Sequence, residues 1–204
     1  MENIAPTKSN LMSAESSLDF SQMGYELLDK KRNVLIREMM TYLNKAESLQ
    51  DRVNDNFALA YDALRKANIT VGISMVEDIA LAIPIANEYQ ILFKSVMGVE
   101  VPHIEFEHKD IEPQYSFYKS NSAMDSAFEK FNEVKYLIYE LAEVENAVYR
   151  LATEIKKTQK RANALESIQI PKFKAIIKSI REFLEEKDRE DFFRLKVVKK
   201  KKKS

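Results

Sequence analysis

The chain has 204 residues with only three glycines and five prolines, no cysteine and no tryptophan, and its 32 Lys and Arg balance 32 Asp and Glu. Without cysteine there is neither a disulfide framework nor a thiolate zinc site, which favours a reducing, cytoplasmic setting, and the shortage of Gly and Pro favours long uninterrupted elements. The opening "MENIAPTKSN" lacks a signal pattern, and the longest purely apolar run, "IALAIPIA" at residues 79–86, falls well short of the roughly 20 residues that span a bilayer, so a chain without direct membrane insertion is expected.

The first predicted element is a long helix over residues 8 to about 67. Alternating steps of three and four visit Leu11, Ala14, Leu18, Ser21, Tyr25, Leu28, Arg32, Leu35, Met39, Tyr42, Ala46, Leu49, Val53, Asn56 and Ala60, all apolar except Ser21, Arg32 and Asn56. That is a heptad seam, and at about 1.5 Å per residue such a helix is on the order of 90 Å long. Arg32 and Asn56 weaken packing on the seam but can fix its register.

The pattern changes between residues 69 and 119. "MVEDIALAI" predicts a short helix ending before Pro84, and "YQILFKSVMGVEVPHIEFEH" predicts a β-hairpin from about 89 to 107, turning at Met97 and Gly98 and projecting from the coil. Pro102 lacks an amide donor and belongs on an edge. On such a strand His103, Glu105 and Glu107 share a face while His108 points away, so these side chains do not converge as a metal site requires.

A second helix, 120–195, carries the returning seam Phe131, Val134, Ile138, Leu141, Val144, Val148, Leu151, Ile155, Thr158, Ala162 and Leu165, resuming at Phe173, Ile176, Ile180 and Phe183. Pro171 removes a backbone donor and disfavours helix at Ile170, which predicts a kink. The fold class expected is therefore all-α dominated: a long antiparallel, left-handed two-helix coiled coil with a short helix and a hairpin in its middle region. Four segments follow, residues 1–68, 69–119, 120–195 and a Lys-rich tail at 196–204.

Chemistry is sought in vain. The three glycines are scattered, so no phosphate-binding loop exists, and acidic pairs such as Glu143 with Glu145 or Glu185 with Glu186 lie on charged helices and read as solvated faces. No catalytic, cofactor or metal residue is assigned. Once the tail lysines are set aside, the body carries 26 basic against 32 acidic side chains, a net charge of −6, which is a poor nucleic-acid footprint. A basic cluster does stand out: with Ile155, Thr158, Ala162 and Leu165 on the seam, Lys156, Lys157, Lys160 and Arg161 fall on the flanks and back of the helix. They are either a solvated face balanced by acids or charges meant for a surrounding surface. A nucleic-acid-binding helical hairpin and a passive coiled-coil scaffold are the other readings of such a chain.

Several stretches resemble a known family. "PTKSNLM" at 6–12 and "GYELLDKKRNVLIREMM" at 24–40 resemble the start of the D subunit of V-type and A-type rotary ATPases, and "MGVEVP" at 97–102 fits its middle. "LAEVENAVYRLATEIKKTQKRANALESIQIPKF" at 141–173 and "LEEKDREDFFRLKVVK" at 184–199 look like its second half, with Gln159 and Ala162 departing from the family's common basic residue and Val. The resemblance implies a non-catalytic central rotor shaft without cofactors, peripheral on the cytoplasmic side of the membrane. Its implied partners are the A and B subunits of the catalytic hexamer, the F subunit and the funnel-shaped subunit (C/d) above the membrane ring. It would couple ATP hydrolysis or synthesis to proton or sodium-ion movement. Under that resemblance Lys30, Lys31, Arg32, Lys156, Lys157, Lys160 and Arg161 are the candidate bearing contacts to the A/B ring.

Overall fold

The computed structural model describes residues 5–83, 89–106, 115, 116 and 120–202. Helix α1 covers Lys8–Val71 and α2 Ile73–Ala82, the strands β1 and β2 cover Tyr89–Val96 and Val99–Phe106, and α3 runs over Ser122–Ala164. A π-helical segment, Leu165–Gln169, then leads without a break into α4, Ile170–Lys201. The expected architecture is present, an antiparallel coiled coil with a short helix and one hairpin. Two compact units divide the chain, the first formed by Met1–Val34 with Ile155–Ser204 and the second by Leu35–Glu154.

The local signals that start these elements are visible. Thr7 caps α1 by accepting the Asn10 N–H on its Oγ1 at 3.2 Å, and Asn121 caps α3 by accepting the Met124 N–H at 3.2 Å, so each satisfies a first-turn amide that has no partner inside its helix. Gly72, at φ 98°, separates α1 from α2 in a conformation that favours glycine.

In the second unit α1 and α3 run antiparallel. Leu49 and Val53 share a core with Leu137 and Val144, while further along α1 Ala67 meets Val76, Ile79, Tyr115, Met124 and Ala127. Phe57, Tyr61 and Phe131 fill the space between, with ring centroids 5.8 and 5.6 Å apart. The Tyr115 hydroxyl donates to Asp125 at 2.5 Å.

Strict alternation of three and four backward from Leu151 through Val148, Val144 and Leu141 falls on Leu137 rather than Ile138, and Leu137 is the position that the structure buries. Ile138 is 40% exposed, whereas Leu137 and Ala147 are buried. The hairpin covers a second face of α3, where Phe106 stacks on Tyr136 at 5.4 Å and Tyr89 lies 5.2 Å from Tyr139, so the covered band of α3 is wider than a two-helix seam. The hairpin thus lies on α3 rather than projecting from it. Its turn, Met97 and Gly98 at φ 51° and 78°, has the positive angles of a two-residue turn matched to strand twist.

The first unit is built from smaller side chains. Ala14, Ser21, Thr158 and Ala162 are buried with Ile177 and Ile180, and a Cβ added at Gly24 would already touch Leu165. Arg181 reaches Glu15, and Arg32 reaches Gln159, which fixes the antiparallel order. A π segment stands where the kink was expected. Ile170 keeps helical angles of −60° and −47°, and its N–H donates to Leu165 O, five residues back. The wider turn relieves the clash that a proline ring makes with the preceding turn, and Pro171 sits where α4 begins, so its missing donor costs little.

Candidate functional site

All seven cations picked out in the sequence fall in the first unit, but they do not form one kind of surface. Arg32 faces its partner helix. Its Nη1 donates to Gln159 Oε1 at 2.6 Å, its Nη2 lies 2.5 Å from Asp29 Oδ1, and Gln159 Nε2 donates in turn to Asn163 Oδ1 at 2.5 Å. Asn33 Nδ2 completes this network by donating to the other Asp29 oxygen at 3.1 Å. The departure at Gln159 is intelligible here, because an amide oxygen accepts from Arg32 where a second cation would repel it. Arg32 therefore works as the register device expected of a polar seam residue. Asn56, the other such residue, donates to Arg52 O in its own helix at 2.8 Å.

Lys30, Lys156, Lys157, Lys160 and Arg161 are exposed. Among the described residues no carboxylate lies within ion-pair distance of any of them. Several charges of α4 pair within their own helix: Lys178 with Glu182, Arg189 with Glu185, and Arg194 with Glu190 and Asp191. Lys31 is half-buried. Beyond these pairs α4 carries exposed apolar side chains, Phe192, Phe193, Leu195, Val197 and Val198, each more than half exposed.

Close to the basic faces, the Tyr25 phenol is held above its ordinary value, first by the negative charge of Glu166 in the π segment. Nothing here assembles a reaction centre. Among the described residues no group of His, Asp or Glu could hold a metal ion, and His103 faces Glu143 at 2.9 Å instead; Glu107 and His108 lie outside the described residues. No described helix is long and apolar enough to cross a membrane.

Sequence reasoning missed one group of residues. Glu143, read as solvated, is 19% exposed at its side chain and accepts both the Ile104 N–H, at 2.8 Å, and the contact from His103. Seven residues on, Arg150 Nη1 donates to Glu100 O at 3.0 Å and its guanidinium lies 5.1 Å from the Phe93 ring centroid. The two-turn spacing was the available signal, since it presents both side chains on one face of α3.

These features define an antiparallel helical-pair protein with a clamped hairpin and outward basic side chains. Comparison with known proteins places it further: the ATP synthase D-subunit family matches residues 10–200. The chain is 44% identical over 199 residues to the V-type ATP synthase D subunit of Thermotoga neapolitana, covering 98% of both chains. It is 39% identical over 200 residues to the A-type ATP synthase D subunit of Thermococcus kodakarensis, covering 97% of this chain and 94% of that one. The same protein of Pyrococcus furiosus is 39% identical over 199 residues, with 96% and 93% covered. The chain belongs to the ATP synthase D-subunit family.

Proposed function

We propose that this chain is the central-stalk shaft of a V-type or A-type rotary ATPase, working on the cytoplasmic side of the membrane as a non-catalytic subunit. Its helical pair stands inside the hexamer of A and B subunits and couples ATP hydrolysis or synthesis there to proton or sodium-ion translocation. The F subunit and the funnel-shaped subunit above the membrane ring are its further partners. A single asymmetric shaft cannot present the same side chains to three equivalent sites. Each angle therefore stabilises a different nucleotide state at each site, and by linkage the nucleotide states bias the angle.

One observation supports this reading beyond family membership: five exposed cations with no acidic partner among the described residues stand on the two paired helices of one compact unit, Lys30 on α1 and the other four within residues 156–161 of α3. Lys30, Lys156, Lys157, Lys160 and Arg161 are the bearing contacts. Lys31 stands beside them, and Arg32 holds the helices in register behind them.

Native mass spectrometry of this chain co-expressed with the A, B and F subunits tests the proposal. One copy with three A and three B subunits is expected. A chain that stays apart from the ring, or joins it in three copies, overturns the shaft reading.

A further inference from the structure

The hairpin has two outer edges, and the fold treats them in opposite ways. Its register pairs Val96 with Val99 across the two-residue turn, and from there inward Lys94 with Val101 and Leu92 with His103. In a two-residue hairpin the pair flanking the turn exchanges backbone hydrogen bonds, and bonded pairs then alternate with unbonded ones. The amides and carbonyls of Glu100, Pro102 and Ile104 on β2, and of Ile91, Phe93 and Ser95 on β1, consequently point outward.

On β2 this outer row is closed. The Glu100 carbonyl accepts from Arg150, Pro102 has no N–H, and the Ile104 N–H donates to Glu143. On β1 it is open: no acceptor among the described residues meets the Ile91, Phe93 or Ser95 amide. The side chains along that edge are apolar and exposed, Ile91 at 54%, Leu92 at 44% and Phe93 at 56%. An exposed eight-residue edge with an apolar run at Ile91, Leu92 and Phe93 is a template for one more strand.

We propose that β1 receives a β-strand from a neighbouring subunit of the same rotary complex, making the hairpin a three-stranded sheet; this rests on the shaft reading above. The incoming segment is extended, apolar on both faces to match Ile91, Phe93 and Leu92, and acidic beside Lys94. A second copy of this chain is not the occupant. One eight-residue edge buries much less than the roughly 1,000 Å² that holds two free proteins together, so it gains a strand only where the donor is already tethered through other contacts.

Amide hydrogen exchange, resolved to single residues, distinguishes the two edges in the free chain and in the co-expressed complex. In the free chain Leu92 and Lys94 exchange slowly while Ile91, Phe93 and Ser95 exchange openly. In the complex the latter three slow by at least tenfold. Ile91→Pro removes one outward donor without touching the hairpin ladder, and it is expected to restore fast exchange at Phe93 and Ser95 in the complex, whereas Ile91→Ala keeps their protection. Open exchange at all three in a chain that has entered the complex overturns this inference and leaves the shaft reading standing. Failure of the chain to enter the complex overturns both. Protection that appears in the free chain as its concentration rises, with a dimer in solution, assigns the edge to a second copy instead.

Discussion

The two compact units use the same heptad pattern for different ends. In Leu35–Glu154 the helices are held by large side chains, Leu49, Leu137, Val144 and Leu151, by the ring contacts around Tyr61, and by a hairpin tied down at two points. In the other unit Ile177 and Ile180 are buried, but the remaining buried positions are small, Ala14, Ser21, Thr158 and Ala162, and a polar network from Asp29 to Asn163 lies beside them. Less hydrophobic area is buried there, and cations and the apolar end of α4 are exposed. One unit is built for stability and the other for register and presentation.

The largest effect that would sharpen this contrast is expected at Leu151, which is fully buried in the second unit. Leu151→Ala should cost about 3 kcal/mol in denaturant unfolding, while Ala162→Gly, equally buried in the first unit, removes only one methyl and costs about 1 kcal/mol through helix propensity. Equal losses would break the comparison. Next come Arg32→Ala and Gln159→Ala, each expected to lose about 1 kcal/mol, with the double variant losing less than the sum of the two, because they share one cross-helix bond while Arg32 also pairs with Asp29 and Gln159 also bonds Asn163. Additive losses in that cycle would show that the two residues act separately.

A pH scan probes the second unit through Tyr115. Burial raises its phenol well above the ordinary value, with the Asp125 hydrogen bond and charge adding to the effect, and burial also raises Tyr42 ahead of the charge of Glu143. The neutral phenol is the form the fold stabilises. That contribution is complete below the unfolded value of about 10 and is lost as pH rises through the folded value. Tyr115→Phe should flatten the alkaline fall of stability measured by urea midpoints from pH 8 to 11, and an unchanged slope would assign it to other tyrosines.

The smallest effect on stability is expected from alanine at Lys30, Lys156, Lys157, Lys160 and Arg161 together, within about 0.5 kcal/mol, since exposed unpaired cations contribute little to folding. Ring affinity should instead weaken by tenfold or more at low salt, and much less at high salt. Unchanged affinity would return these residues to a plain solvated face.

Much of the fold was legible because a heptad repeat reports helix, partner and direction at once. The hairpin was legible in Met97 and Gly98 between two β-rich runs, and α1 begins at Lys8 as its spacing predicts. What stayed hidden depends on contacts between elements distant in sequence. Glu143 and Arg150 resemble any charged pair on a helix until a strand is laid across them. The basic cluster was found by pattern, but the inward turn of Arg32 required knowing that Gln159 stands opposite. Pro171 announced a disturbance, and the structure gives it the form of a widened turn.

That widened turn has a consequence for how this chain tolerates changes in length. After it, the buried Ile177 and Ile180 stand one place beyond where a seven-residue continuation from Ala162 and Leu165 would put them, so the turn from Leu165 to Gln169 holds one surplus residue. Loss of a single codon within residues 166–169 would let an ordinary turn close with the downstream side chains still in phase. A one-codon loss within residues 20–60 would rotate every following side chain of α1 off its partner by about 100 degrees. In a library of single-residue deletions screened for folding, survivors in the long helices should concentrate at this one place.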